Sequence, residues 1–260
     1  GAGKTSLISS IAGINSFHGE IKIMGHNVLT DLVNAKRQLG VVPQELAFDP
    51  FLTVMQTLKF QSGLYGVVNN QAWLEELIER MHLTDKIHSN TRSLSGGMKR
   101  RLMVAQALVH KPKVIILDEP TVGVDVEIRK NIWEFITKLH NEGHTILLTT
   151  HYLEEVEQLC NKIIMIDKGK IITESSKSEL IDKANGLPST LQIETENGQF
   201  ITELEGLILT KESNKYTLKL ENNKTMMDVV GKLIAAGIVI ENININRPNL
   251  EDIFLDYLGR

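Results

Sequence analysis

Three apolar runs without polar alternation constrain this chain most: "KVIILDEP" (Lys113–Pro120), "TILLTT" (Thr145–Thr150) and "KIIMID" (Lys162–Asp167). A strand with one face in water alternates apolar and polar residues. A run that does not alternate suits a parallel strand covered on both faces. Between the first two runs, Ile128, Ile132, Phe135, Ile136 and Leu139 recur at helical spacing, and "YLEEVEQLC" (Tyr152–Cys160) reads as a further helix before the third. Strand, helix, strand, helix, strand is the pattern of a doubly wound α/β sheet.

Upstream, Thr5 to Ile11 suits a helix, "GEIKIMGHNV" (Gly19–Val28) alternates like a short strand pair, and "LGVVPQE" (Leu39–Glu45) reads as a strand stopping at Pro43. Two helices are predicted between Leu52 and Leu83, separated by Gly66 and Asn69-Asn70. Another runs from about Gly97 to His110, with Leu102, Ala105, Leu108 and Val109 on one face. The character changes near Ser175 to Ser178. Beyond it, "LQIETE", "LEGLILTKE", "YTLKLE", "MMDVVGKLIAAG", "IVIENININ" and "NLEDIFLDYLG" read as strand, strand, strand, helix, strand, helix. The expected organisation is a first domain over residues 1–180, with a helical subdomain over about 48–95, and a small α+β domain over 185–260.

At 260 residues the chain is long enough for a full core plus a small appendage. Its net charge is −4 and its longest basic run is Lys99-Arg100-Arg101, so no nucleic-acid partner is expected. Cys160 is the only cysteine; no intramolecular disulfide can form, and a reducing cytosol suits the chain. No window reaches the roughly 18 apolar residues of a membrane span, so a pore must come from another chain if the protein works at a membrane.

Three stretches carry chemistry. Gly1-Ala2-Gly3-Lys4-Thr5-Ser6 reads as the second half of a phosphate-binding loop running into a helix. Glycine lets backbone N–H groups close on phosphate, Lys4 would reach the β- and γ-phosphates, and the Thr5 hydroxyl would bind Mg²⁺. The complete pattern begins with a glycine three residues before Gly1, so the sequence is expected to begin inside the motif, downstream of any adenine-stacking residue. Asp118 and Glu119 end an apolar strand, where ligands of open α/β sheets bind; Asp118 suits the Mg²⁺ shell and Glu119 an attacking water. Ser95, Gly96 and Gly97, in "LSGGMKRRL", open a helix whose hydroxyl and N–H groups converge on an anion. Taken alone, that Ser-Gly-Gly would be an ordinary helix cap.

With these motifs in this order, the chain resembles the ATP-binding-cassette family, whose signature is usually written LSGGQ. The resemblance implies a P-loop NTPase sheet with a helical subdomain, and ATP and Mg²⁺ as ligands. It also implies roles for further residues. Gln44 matches the glutamine that contacts Mg²⁺ or water and senses the transmembrane partner, Asp125 in "PTVGVD" the D-loop aspartate, and His151 the switch histidine that contacts the γ-phosphate. The motifs span Gly1 to His151.

Met98 in place of glutamine, the basic run after it, "EPTVGVD", "TTHYLEEVEQLC" and the "LEDIFL" helix look like the ATPase subunits of ABC-2-type exporters. That branch implies a separate permease, a peripheral position on the cytoplasmic face of the membrane, and a head-to-tail dimer with two ATP at the interface. Each site would take Lys4, Thr5, Gln44, Asp118, Glu119 and His151 from one subunit and Ser95 and Gly97 from the other. Two other roles fit the same motifs: a soluble cassette ATPase of translation or DNA repair, and a regulatory module that binds ATP without hydrolysis. No long coiled coil or second cassette is seen, and Glu119 and His151 weigh against the last.

Overall fold

A computed structural model describes residues 2–45, 48–186, 189–196, 204, 207–220, 223–246 and 248–257. The chain divides into two compact units, Gly1–Cys160 with Ile166–Ile171, and Asn161–Met165 with Ile172–Arg260.

The first unit opens with α1 (Lys4–Ile11), the hairpin strands β1 (Lys22–Ile23) and β2 (His26–Asn27), α2 (Leu32–Arg37) and β3 (Leu39–Val42). Next come α3 (Val54–Leu64), α4 (Gln71–Arg80), α5 (Gly96–Leu108), β4 (Val114–Asp118), α6 (Val126–Asn141), β5 (Thr145–Thr149) and α7 (Leu153–Leu159). The chain then runs through β6 (Lys162–Asp167) and β7 (Lys170–Ser176), which pair with each other.

β3, β4 and β5 form a parallel sheet in that order, with Leu39 to Val42 facing Val114 to Leu117, and Val114 to Asp118 facing Thr145 to Thr149. The central strand shows why its sequence does not alternate. Ile115 and Leu117 enter one apolar core with Leu58, Leu77, Leu102 and Ile132, whereas Ile116 enters a second core with Ile8, Val28, Ala35 and Leu39. All three of these strand residues are fully buried. At roughly 25 cal/mol per Å² of apolar surface, each such side chain contributes about 1.5–3 kcal/mol of transfer free energy.

Gly40 is where β3 meets α5. A Cβ there would lie 2.3 Å from the carbonyl oxygen of Ala107, so only glycine permits the approach. α3 is held at its start by a reciprocal cap, the Gln56 N–H donating to the Thr53 hydroxyl and the Thr53 N–H to the Gln56 side chain.

Two expectations are corrected. "KIIMID" does not join the parallel sheet as a third covered strand; it forms β6, pairs with β7, and leaves Lys162 and Ile164 exposed. "TILLTT" is half-covered rather than buried, and among the described residues β5 pairs with β4 alone. The sequence reading also passed over α2, β7 and the helix after it.

The second unit contains that helix, α8 (Lys177–Gly186), followed by β8 (Ser189–Thr195), β9 (Ile208–Glu212), β10 (Lys215–Leu220), α9 (Asn223–Ala235), β11 (Ile240–Asn246) and α10 (Leu250–Tyr257). α8 begins with a reciprocal cap: the Glu179 N–H donates to the Ser176 hydroxyl at 3.2 Å, and the Ser176 N–H to the Glu179 carboxylate at 2.9 Å. The sheet is antiparallel between neighbours, in the order β11-β8-β10-β9. Leu191, Ile193, Leu218 and Leu220 of the sheet pack against Val229 and Leu233 of α9.

Candidate functional site

The site lies at the C-terminal ends of the parallel strands, beside the start of α1. Gly3 caps that helix in the left-handed region at φ 98°, which glycine adopts without strain. It supplies no side-chain cap, and the first intrahelical bond runs from the Leu7 N–H to the Gly3 carbonyl. The N–H groups of Lys4, Thr5 and Ser6 therefore have no acceptor within the helix, and the helix dipole adds partial positive charge there. The loop is anchored by the Gly169 N–H, which donates to the Ala2 carbonyl at 3.0 Å. A helix start of this kind can hold an anion. Gly1 lies outside the described residues.

Glu119 is the centre of the side-chain cluster. Its Oε1 is 3.5 Å from the Lys4 ammonium and 3.3 Å from His151 Nδ1, and its Oε2 accepts from Gln44 Nε2 at 3.0 Å. The Lys4 ammonium also donates to the Thr150 carbonyl at 3.3 Å. Asp118 is buried and accepts from the Thr149 hydroxyl. Thus strand ends far apart in sequence bring Lys4, Gln44, Asp118, Glu119 and His151 together. Thr5 is exposed, and its hydroxyl has no partner among the described residues.

Glu119 itself has φ 48°, an uncommon conformation for a side-chain-bearing residue. Its backbone is pinned on both sides: its N–H donates to the Thr149 carbonyl at 3.0 Å, and its carbonyl accepts from Arg100 Nη2 at 2.6 Å.

The remaining predicted residues lie elsewhere. Ser95 caps α5 by accepting from the Met98 N–H at 3.3 Å, with Gly96 and Gly97 in the first turn. Asp125 caps α6 by accepting from the Ile128 N–H at 2.8 Å. Among the described residues, no hydrogen bond links Ser95, Gly96, Gly97 or Asp125 to the Glu119 cluster.

Two supporting residues escaped the sequence reading. Arg100 is buried, and burial pushes its pKa down against the opposing fields of Asp118, Glu119 and Glu155. Glu155, fully buried, accepts from the Thr121 hydroxyl at 2.5 Å and from Trp133 Nε1 at 3.1 Å. It joins the segment after β4 to the helix after His151. The run "LEEVEQL" gave no local signal, since Glu155 is its one buried residue among three glutamates, and a buried carboxylate needs a partner that only the fold supplies.

A helix start open to an anion, a lysine at its lip and a carboxylate held at the end of an adjacent parallel strand form the arrangement of a P-loop nucleotide hydrolase. Comparison with known proteins specifies the family. Residues 1–122 match the ABC transporter family, and residues 182–258 match the C-terminal domain of DrrA1-3-like ATP-binding proteins. The chain is 34% identical to the linearmycin resistance ATP-binding protein LnrL of Bacillus subtilis (strain 168), over 100% of this chain and 87% of the relative. It is 33% identical to the daunorubicin resistance ATP-binding protein DrrA3 of Streptomyces coeruleorubidus, over 100% of this chain and 84% of that one. It is 35% identical to the Nod factor export ATP-binding protein I of Cupriavidus metallidurans, over 100% and 86%. A solved structure described as the ATP binding subunit of an ABC transporter superposes with a TM-score of 0.65 at 25% identity, covering 70% of this chain and 77% of that one.

The chain belongs to the ATP-binding-cassette transporter family, and it is an ATP-binding, ATP-hydrolysing subunit of an export system. Subunits of this kind act with a transmembrane permease and typically dimerise. Among the described residues, no helix is long and apolar enough to cross a membrane.

Proposed function

We propose that two copies of this chain, paired head to tail on the cytoplasmic face of a membrane, hydrolyse ATP with Glu119 as the carboxylate that orients or deprotonates water. The observation that carries this reading is the three-way hold on Glu119 by Lys4, Gln44 and His151 beside the uncapped start of α1.

ATP fits the cradle. The α1 N–H groups and Lys4 would take the β- and γ-phosphates, and His151 would lie at the γ-phosphate end. Mg²⁺ fits the donor set: the Thr5 hydroxyl, the Asp118 carboxylate, and the Gln44 amide oxygen, whose nitrogen is already committed to Glu119. Bound there, it would neutralise charge on the phosphates. With phosphate in the cradle, the Lys4 ammonium would exchange Glu119 and the Thr150 carbonyl for phosphate oxygens. Glu119 would then accept a proton from water while His151 and Gln44 hold its position.

Ser95 and the N–H groups of Gly96 and Gly97 form a second anion-facing helix start, separate from the Glu119 cluster. In the head-to-tail arrangement each would complete the partner's site, and Asp125 would lie near the interface. Closure of the pair would act on the permease through the region of α3 and α4. Phe51, Phe60, Leu64 and Val68 are exposed there, as a docking surface requires. The second unit, taken as an accessory domain over about 185–260, carries none of these residues; pairing or regulation suits it.

The test uses Glu119→Gln, which should retain ATP without turnover. With Mg²⁺ and ATP this variant is expected to run as a dimer holding two ATP. Adding Ser95→Arg or Lys4→Ala should return it to a monomer. A dimer that persists with Ser95→Arg would overturn the head-to-tail reading.

A further inference from the structure

We propose that Arg100 is a positioning residue for hydrolysis, fixing the separation of the Gln44 loop and the Glu119 turn. Its guanidinium carries five N–H groups, and the structure pairs them with five main-chain carbonyls. Nε donates to Pro120 at 2.9 Å; Nη1 to Pro43 at 2.7 Å and Gln44 at 3.0 Å; Nη2 to Asp118 at 2.7 Å and Glu119 at 2.6 Å. Among the described residues, no carboxylate oxygen bonds it.

The location gives this pattern its meaning. The β3–β4 ladder ends at the pair Val42 and Leu117. Beyond it β3 and β4 separate, Pro43 leaving the sheet while Asp118 stays paired with Thr149 of β5. Arg100 takes over where the ladder stops, binding Pro43 and Gln44 on one chain and Asp118, Glu119 and Pro120 on the other. Gln44 and Glu119 are the residues whose side chains meet at 3.0 Å. The guanidinium also holds the carbonyl of Glu119, whose φ of 48° needs outside support.

Arg100 touches no reacting atom and acts through Gln44 and Glu119. A planar fork is required, because a lysine ammonium offers three N–H groups from one point and would leave carbonyls unpaired. Arg100 also lies on α5, the helix that Ser95 caps. Hence the signature turn, the Gln44 loop and the Glu119 turn are bonded to one rigid element, and a displacement of Ser95 by the partner subunit would reach Glu119 directly.

This rests on the roles proposed above for Gln44 and Glu119, and the experiment separates the two. In the full chain, kcat, KM for ATP and melting temperature are measured for Arg100→Lys, Arg100→Gln and Gln44→Ala, and for each Arg100 variant combined with Gln44→Ala. Arg100→Lys should melt cooperatively, keep KM within about threefold and lose about 10- to 100-fold in kcat. Combined with Gln44→Ala, it should lose little beyond the larger single effect, because both act on one geometry. Arg100→Gln carries the same test if the lysine variant does not fold. Multiplicative losses, an effect confined to KM, or loss of the folded state in both Arg100 variants would overturn the proposal. Glu119→Gln is assayed alongside: wild-type turnover there would overturn the catalytic assignment, whereas multiplicative losses with an inactive Glu119→Gln would overturn only the role of Arg100.

Discussion

Gln44 and Glu119, 75 positions apart in the chain, join side chain to side chain at 3.0 Å, with the Gln44 amide nitrogen donating to the Glu119 carboxylate. The same carboxylate receives Lys4 and His151 on its other oxygen. One acidic group, at the end of β4, therefore draws on the helix after the phosphate loop and on the segments leaving the two neighbouring strands, β3 and β5. Its removal should disturb chemistry more than binding.

Glu119→Gln keeps the shape and the hydrogen bond with Gln44 but cannot accept a proton from water. Turnover is expected to fall by about two or more orders of magnitude while ATP binding persists. Steady-state ATPase rates beside equilibrium nucleotide binding check this, and turnover near the wild-type value would sink the assignment.

Met98 packs against the main apolar core, where Ile128 also packs, and Ser95 supplies the cap of α5. Met98→Gln should change the ATPase rate only a few-fold. Ser95→Arg should abolish it, by placing a long side chain in the anion-facing turn. A large gain in rate from Met98→Gln would show instead that the signature as it stands is impaired.

Glu155 has one oxygen bonded to Thr121 and Trp133, and a second buried oxygen with no partner among the described residues. Glu155→Ala leaves the Thr121 hydroxyl and the Trp133 N–H without their acceptor, at a cost of about 1–3 kcal/mol each in desolvated surroundings. Trp133 is only partly buried, so the total should be about 2–3 kcal/mol. Urea unfolding measures it, and a loss below about 0.5 kcal/mol would mean that water replaces the carboxylate at no cost.

His110 stacks on Tyr65 with ring centroids 3.6 Å apart, and its Nε2 bonds the Leu39 carbonyl at 3.0 Å. Burial holds its pKa below the ordinary 6.5, and Nδ1 is buried without a partner among the described residues. Above that value the imidazole is neutral in both folded and unfolded chains, and the stability it contributes is fully present. As pH falls below 6.5, the unfolded chain takes up a proton that the folded chain resists, so stability declines until the folded pKa is passed. The melting temperature should therefore drop less between pH 7.5 and 5.5 in His110→Phe than in the wild type. Equal drops would remove His110 from the acid response.

Local pattern determined much of this protein. The unalternating run at Val114–Asp118 reads as a covered strand and is one, and the helical spacing at Ile132, Phe135, Ile136 and Leu139 yields a helix with all four buried. From β8 to α10 the order of strands and helices was equally legible, because each alternation or periodicity is complete within its own segment, whereas α8 before them was missed. Candidate site residues were legible as residue types at strand ends and helix starts.

Tertiary structure decided the rest. Nothing near "KIIMID" states whether it joins the parallel sheet or pairs with β7, since strand type is local and strand partner is not. Arg100 sits in a basic run that reads as solvated surface; only when β3 and β4 part company beside α5 do five carbonyls converge on it. Likewise Glu119, a polar residue after an apolar strand, acquires its three side-chain partners from Lys4 at the start of α1, from Gln44, 75 positions away, and from His151 after β5. Periodicity encodes which face is buried, whereas hydrogen-bond partners depend on where separate backbones end in space.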